Sequence, residues 1–301
     1  MKLHPIDGTT HDPANGIHAC ARIDVEADDQ SFDWQIERAR KMQADDPHCW
    51  VYAHNVGFPE PGGYSFVSKA DANDGRILFP IIRRRQLMRL RRLREFATPD
   101  RPLVLNVEDW PVAFKVRDPQ HQAVARKYLQ SSPLFGALWK PDHPRHMAAM
   151  LTLTRWVVDR WYARLTNVLG PHIANYDTGR FEAGATLGDV PIVSLPVKGT
   201  AHDALIDSPE VYLRVGDIWD DHWYRRRLRS CTSQRIVPWL SPHVLRDDGT
   251  SEPLSRVGVE FIAGACHEYG VTDAILWRPN GCTDDDMMRA ARIYAGARSS
   301  E

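Results

Sequence analysis

Short apolar runs alternate along the chain with longer amphipathic stretches. This alternation is typical of buried β-strands that are each followed by an α-helix with one buried face. The apolar runs predict strands near residues 18–25, 49–54, 102–108, 172–177, 191–197, 210–215, 235–240 and 272–278. The amphipathic stretches predict helices near residues 32–44, 82–97, 118–130, 146–168, 222–230, 254–268 and 284–296.

The order of these elements favours one fold class. Most predicted strands precede a helix, and the strands at 102–108 and 235–240 are apolar on both faces, as in a parallel sheet covered by helices. We therefore predict an α/β fold, a (β/α)8 TIM-like barrel that forms a single domain over residues 1–301. Long strand-end loops at 55–75 and 131–145 would overhang the site. An open doubly wound sheet is the alternative, but no glycine-rich nucleotide-binding motif follows the first strand.

Signals at the ends of the predicted helices support their boundaries. The run Asp284–Asp286 begins the last helix, where negative charge favours the exposed N–H groups. Gly170 and Gly270 follow two other helices, and glycine commonly ends a helix.

Composition narrows the function classes. The chain has 38 Lys and Arg residues against 39 Asp and Glu, a net charge of −1 and 43% hydrophobic residues. These values predict a globular, soluble protein without overall attraction to nucleic acids or acidic membranes. No apolar run has the length of a membrane span, and the first sixteen residues lack the apolar region of a secretory signal. We therefore expect a cytoplasmic protein, or one released by lysis or carried in a particle.

An arginine-rich stretch invites a nucleic-acid interpretation. Leucines recur within it at helical spacing, which favours an outer helix with one apolar face and one solvated face. We expect no nucleic acid there; a protein partner or a second copy of the chain fits this surface better. Its arginines are Arg83, Arg84, Arg85, Arg89, Arg91, Arg92 and Arg94. No histidine, cysteine or acidic spacing matches a known metal motif, so neither a metal nor a cofactor is expected.

The predicted strand at 102–108 ends in polar residues. Asn106 and Glu108 are two residues apart and would project to one side of the strand, at the end where barrel enzymes hold catalytic groups. Desolvation at a barrel mouth raises the pKa of a carboxyl group and suits it to proton donation. The alternative is a strand-end carboxylate in a salt bridge.

Other strand ends supply further candidates. Tyr176 and Asp177 follow the predicted strand at 172–177, and the tyrosine could donate a hydrogen bond to a substrate oxygen. Trp239 and Trp277 also end strands, where flat indole faces suit the apolar faces of sugar rings. Packing in the barrel wall is the alternative for these aromatic residues.

The order of the motifs resembles the hyaluronidase-type glycoside hydrolases. The matching stretches are VLNVEDWP (104–111), the helix at 146–168 that leads into HIANYD (172–177), RIVPWLSPHV (235–244) and SRVGVEFIAGACHEYGVTDAILW (255–277). The resemblance implies a barrel enzyme that cleaves a carbohydrate polymer containing N-acetylhexosamine by substrate-assisted catalysis. It assigns Glu108 as the acid/base and Asn106 as the residue that positions the acetamido group. Tyr176 and Trp277 would then assist in the sugar subsite.

This sequence departs from the resemblance at Asn106, where the hyaluronidase family has aspartate. A related family of endo-acting N-acetylglucosaminidases resembles this chain in using Asn-x-Glu, so the change does not exclude activity. A non-catalytic barrel for carbohydrate binding or for a structural role in a larger assembly is the alternative. The candidate substrate-binding residues are Asp24, Asp109, Asp177, Trp239 and Trp277.

Asp24 supports a second mechanism. The stretch IDVE (23–26) has a likeness to the opening of lysozyme-type barrel muramidases. If Asp24 lies near Glu108, the site becomes a two-carboxylate glycosidase in which Asp24 is the nucleophile or base. A strand-end carboxylate that caps the following turn is the alternative.

Overall fold

A computed structural model of the chain shows parallel β-strands covered by α-helices. The strands are β1 (Lys2–Pro5), β2 (Cys20–Asp24), β3 (Trp50–His54), β4 (Leu103–Leu105), β5 (Ile173–Asn175), β6 (Thr186–Leu187), β7 (Val190–Pro191), β8 (Ile206–Asp207), β9 (Arg235–Ile236), β10 (Trp239–Leu240), β11 (His243–Leu245), β12 (Ser251–Pro253) and β13 (Asp273–Leu276). The α-helices are α1 (Asp29–Asp45), α2 (Arg84–Leu93), α3 (Arg256–Glu268) and α4 (Asp284–Ala295). The structure describes residues 1–6, 10–54, 56, 84–105, 165–175, 186–187, 190–191, 206–209, 211, 225, 228–229, 231, 235–245 and 250–296.

Parallel pairing joins most of these strands. One sheet has the order β2-β3-β4-β5, a second has the order β1-β13-β10, and β8 pairs with β9. Backbone bonds from Val237 N to Asp207 O and from Ile275 N to Pro238 O, 2.8 and 2.9 Å long, place the β9–β10 segment between β8 and β13. A parallel bridge from Leu3 to Ile17 links β1 to the segment that enters β2. The predicted α/β class with a parallel sheet is confirmed.

Two strand predictions lie mostly outside the described residues. Of the strand predicted at 191–197, the structure describes Pro191, which ends β7, and β7 pairs antiparallel with β6. Of the strand predicted at 210–215, the structure describes Val211, which follows the short strand β8. The strand β1 was not predicted. Its sequence, KLHP, has Leu3 as its one aliphatic side chain, and the burial of His4 gives no hydrophobic signal.

Helices cover the outer faces of the strands. Ile23 on β2, Val51 on β3 and Leu103 on β4 pack in one core with residues of α1 and α2. A second core joins β1, β10 and β13 to α3 and α4. No helix in the part of the chain that the structure describes has the length and apolarity needed to cross a bilayer.

The predicted helix ends match the structure. At α4, the Thr283 side chain accepts a bond from the Asp286 N–H, and the Asp286 carboxylate accepts one from the Thr283 N–H. This reciprocal capping box satisfies N–H groups that the first turn would otherwise leave unpaired. Gly170 and Gly270 have φ values of 93° and 69°, which are strained for residues with a Cβ atom.

One arginine of the arginine-rich helix is not on the solvated face. The Arg89 side chain is only 5% exposed, and its guanidinium donates to the carbonyls of Val25 and Ala27, each at 2.6 Å. It also bonds to Asp29 and lies over the ring of Phe32. Arg89 therefore fastens α2 to the turn after β2. A protein partner or oligomer contact on the rest of this helix stays a prediction.

Candidate active site

The inner faces of the parallel strands share a buried cluster. We call it the inner cluster, and it comprises Ile6, Cys20, Trp50, Tyr52, Val104, Ala174, Ile206, Val237, Trp239 and Ile275. Alternate residues such as Ala21 and Ile23 pack instead against the helices. The alternation fixes which face each strand residue occupies.

Polar side chains lie above the inner cluster at the carboxyl ends of β2 and β3. Arg22 pairs in register with Tyr52, and Asp24 pairs with His54. Because Cys20, two residues before Arg22, belongs to the inner cluster, Arg22 and Asp24 lie on the same face. Arg22 is exposed, whereas Asp24 and His54 are half-buried. We call Arg22, Asp24 and His54 the polar rim.

The environment of His54 suits it to hydrogen bonding in its neutral form. Its Nδ1 lies 3.1 Å from the hydroxyl of Tyr52. Burial lowers the pKa of His54, the charge of Arg22 lowers it further, and Asp24 acts in the opposite direction. A neutral imidazole can both accept and donate a hydrogen bond, so His54 can bind a substrate hydroxyl group.

Asp24 has a defined structural role. Its Oδ1 accepts a 2.9 Å bond from the backbone N–H of Glu26, and its own backbone N–H donates to Gln35 on α1. The carboxylate therefore shapes the turn that follows β2, as the turn-capping alternative for this residue anticipated. It also lies at the rim, beside His54 in the strand register.

The two tryptophans of the sequence analysis occupy different positions. Trp239 is 1% exposed, and its indole N–H donates a 3.0 Å bond to Ser208 Oγ. The edge of the Tyr52 ring faces Trp239, with ring centroids 6.0 Å apart. Trp239 is therefore a packing residue of the inner cluster, beneath the polar rim. Trp277 is partly buried and packs against the inner cluster from the carboxyl end of β13.

The remaining candidates lie outside the described residues. They are Asn106, Glu108, Asp109, Tyr176 and Asp177. Arg22, Tyr52 and His54 were not predicted as site residues. The available signal was a spacing of two residues, from Arg22 to Asp24 and from Tyr52 to His54, at the ends of neighbouring strands.

A cavity lined by charged side chains lies at the amino end of the strands, opposite the polar rim. It has a volume of about 720 Å³ and is lined by Lys2, His48, Trp50, Arg101, Arg235 and Asp273, among others. Although burial raises the pKa of Asp273, hydrogen bonds from His4 and Thr272 and the charge of Arg235 outweigh it and hold that pKa well below its usual range. Because the sites of parallel α/β sheets generally lie at the carboxyl ends of the strands, the polar rim is the candidate active site.

Comparisons with known proteins give only distant likenesses. No family model and no curated protein matches the sequence. Bee venom hyaluronidase has 13% identity, covers 70% of this chain and 78% of its own, and has a TM-score of 0.46. D-psicose 3-epimerase from Clostridium cellulolyticum H10 has 12% identity, coverages of 98% and 97%, and a TM-score of 0.45. A chitinase from Chromobacterium violaceum has 11% identity, coverages of 99% and 99%, and a TM-score of 0.42.

Proposed function

We propose that the protein is a glycoside hydrolase that cleaves a glycan or polysaccharide containing N-acetylhexosamine. Glu108 acts as the general acid/base, and Asn106 positions the acetamido group. The observation that carries this proposal is the position of Val104, whose side chain belongs to the inner cluster. Asn106 and Glu108 follow Val104 by two and four residues, the spacing that returns strand side chains to one face.

We propose further that the parallel strands close into one (β/α)8 barrel over residues 1–301. Hydrogen-bonded pairs or bridges connect the strands from β8 through β9–β10, β13, β1, β2, β3 and β4 to β5. β5 and β8 lie in contact, which supports closure of the ring between them. A closed ring brings all the carboxyl ends to one mouth, where the polar rim and the Asn106–Glu108 pair would face the same substrate.

The proposed reaction uses the acetamido group of the substrate. Glu108 protonates the glycosidic oxygen while the acetamido oxygen attacks the anomeric carbon, which breaks the bond to the leaving sugar. The ionised Glu108 then takes a proton from water, and this water opens the cyclic intermediate. Asn106 holds the acetamido N–H through its amide oxygen, but it carries no charge to stabilise the intermediate.

The described residues supply binding groups for this chemistry. Arg22 offers a guanidinium group to sugar hydroxyl or carboxylate oxygens, and neutral His54 offers a hydrogen bond. Trp277 offers an aromatic surface to the apolar face of a sugar ring. Asp24 is the residue to test for the two-carboxylate mechanism, in which it replaces the acetamido oxygen as nucleophile.

Release of reducing ends tests the proposal. The wild-type chain and Glu108→Gln are compared on hyaluronan, chondroitin, chitin oligosaccharides and peptidoglycan, at equal folded concentrations checked by circular dichroism. We expect Glu108→Gln to lose activity by about 10²-fold or more on the cleaved polymer, as for loss of a general acid. Glu260→Gln, on the outer surface of α3, is the matched control and keeps wild-type activity.

Two results would overturn the assignment. Turnover that survives in Glu108→Gln would remove this residue from the mechanism. Absence of turnover on every polymer would reject the hydrolase for these substrates, and polymer binding without turnover would favour the non-catalytic barrel. If the wild-type chain also cleaves substrates that lack an acetamido group, and Asp24→Asn loses this cleavage, the two-carboxylate mechanism is favoured.

A further inference from the structure

Three potential metal ligands converge beside the strands β10 and β13. His243 begins β11, Cys282 precedes α4, and Asp286 lies in the first turn of α4. One ligand atom from each residue lies within 4.8 Å of the other two. Nitrogen, thiolate sulfur and carboxylate oxygen are the donor types that zinc binds in proteins.

A buried nitrogen points into this cluster. The His243 side chain is 2% exposed, and its Nε2 lies 3.2 Å from Oδ2 of Asp286. Within the described part of the chain, this nitrogen has no hydrogen-bond partner. A buried nitrogen without a hydrogen bond is costly unless another group satisfies it.

The other ring nitrogen of His243 carries a proton. Ser251 Oγ donates its single proton to the carbonyl of Asn280 at 2.5 Å, so it can only accept from His243 Nδ1, which lies 2.9 Å away. In the neutral ring, Nδ1 therefore carries the proton and Nε2 presents a lone pair to the carboxylate of Asp286. In that form two lone pairs face each other at this distance, and either a proton on Nε2 or a metal cation between the two atoms removes the repulsion.

The surroundings hold the ligands in the manner of a metal site. Metal-binding histidines generally donate the other ring N–H to an oxygen atom, as His243 does to Ser251. Thr283 donates two bonds to the Asp286 carboxylate, at 3.1 and 2.7 Å, and so fixes its orientation. Ligand atoms in a tetrahedral zinc site are about 3.5 Å apart, given bonds of about 2.0–2.3 Å. The His243–Asp286 separation already fits, and Cys282 needs to approach by about 1 Å.

We propose that His243, Cys282 and Asp286 bind one zinc ion, with a water molecule as the fourth ligand. The cysteine thiol, which lies 3.6 Å from the carbonyl of Thr283, loses its proton to solvent when the ion binds. His243 and Cys282 are buried and Asp286 is half-buried, and a water as the fourth ligand makes this an open zinc site rather than a closed one. The ion fastens the start of α4 to the β11–β12 hairpin at the carboxyl end of the strands. This site does not depend on the proposed glycosidase activity.

Cobalt binding tests the site. The full-length chain, free of affinity tags and treated with a chelator, is titrated with Co²⁺ and then with Zn²⁺. We expect one ion per chain, a thiolate-to-cobalt charge-transfer band, and displacement of Co²⁺ by Zn²⁺. Cys282→Ala abolishes the band, and Ser251→Ala weakens binding by about 10- to 100-fold, as for loss of a supporting hydrogen bond. Cys266→Ala, at a buried cysteine on α3, is the matched control and keeps both band and stoichiometry.

These measurements distinguish a zinc site from an ion pair between protonated His243 and Asp286. No Co²⁺ band in the wild-type chain, or an unchanged band in Cys282→Ala, would overturn the proposal. Zinc should raise the Tm of the wild type and of Glu108→Gln equally, but not that of Cys282→Ala. If Cys282→Ala does not fold, the wild-type titration and Ser251→Ala decide the question. Failure of the glycosidase assay leaves these results unaffected.

Discussion

Nε2 of His4 lies 3.3 Å from Oδ1 of Asp273 at the amino end of the parallel strands. The His4 ring is fully buried and stacks on Trp50, with ring centroids 3.6 Å apart. Oδ2 of Asp273 accepts bonds from Arg235 at 3.0 Å and from Thr272 at 2.8 Å. The carboxylate is therefore paired on both oxygens, and it ties β1, β9 and β13 together at the end opposite the polar rim.

Asp273→Asn should destabilise the protein markedly. The substitution removes the negative charge that pairs with Arg235 and accepts a bond from His4. Breaking a buried charge pair typically costs about 3–5 kcal/mol, and the lower end of that range applies because the Arg235 side chain is 24% exposed. We expect a loss of about 3 kcal/mol in the free energy of unfolding, measured by urea denaturation at pH 7. Asp33→Asn, which removes an exposed ion pair with Arg92, is the control and should cost less than about 1 kcal/mol. Equal costs for the two variants would show that the Asp273 hydrogen bonds stabilise the fold no more than an exposed ion pair does.

His4 should make stability depend on pH. Burial lowers its pKa from 6.5 to about 4, although the hydrogen bond to Asp273 acts in the opposite direction. Between these pH values the unfolded chain binds a proton that the folded protein excludes. The contribution of neutral His4 to the free energy of unfolding is therefore fully present above pH 6.5 and is lost as the pH falls towards 4. The full loss is about 3 kcal/mol, since one pKa unit corresponds to about 1.4 kcal/mol.

His4→Gln isolates this effect. Glutamine keeps an N–H donor for Asp273 but does not titrate, so the stability curve of the variant should be flatter between pH 6.5 and 4.5. Urea denaturation of both proteins at several pH values measures the difference. Parallel curves would mean that His4 does not titrate in this way, and that groups such as His18, whose pKa burial also lowers, cause the dependence.

The sequence predicted the regular elements better than the buried polar ones. The helices α1, α3 and α4 followed from their apolar spacing, and α4 also from its acidic first turn. The strand β1 was not predicted, because His4 is buried by contacts with Trp50 and Asp273, which are distant in sequence. A hydropathy pattern contains no information about such contacts. For the same reason, the two-residue spacing of polar side chains within β2 and within β3 did not identify the polar rim. The polar rim forms because these two strands become neighbours in the sheet.

Arg89→Met should destabilise the protein more than Arg92→Met does. Arg89 is 5% exposed and satisfies two backbone carbonyls, whereas Arg92 is 46% exposed and forms a surface ion pair. Both guanidinium groups lie over the ring of Phe32, at 4.7 and 5.1 Å, so this contact is common to the two. We expect a cost of about 2–3 kcal/mol for Arg89→Met, because the carbonyls of Val25 and Ala27 lose the bonds that Arg89 donates, and less than about 1 kcal/mol for Arg92→Met. Chemical denaturation of both variants measures these costs, and a reversed order would contradict the fastening role of Arg89.

Trp277→Leu should weaken glycan binding without unfolding the protein. Leucine preserves apolar packing against the inner cluster but removes the flat indole that would face a sugar ring. We expect the KM for the cleaved polymer to rise about tenfold, a change of about 1.4 kcal/mol, with kcat little altered because the indole contacts substrate and transition state alike. Trp34→Leu, at an exposed tryptophan on α1, is the control and should leave both constants unchanged. An equal effect of the two substitutions, or a fall in kcat at constant KM, would remove Trp277 from the sugar subsite and leave it as a packing residue of the strand end.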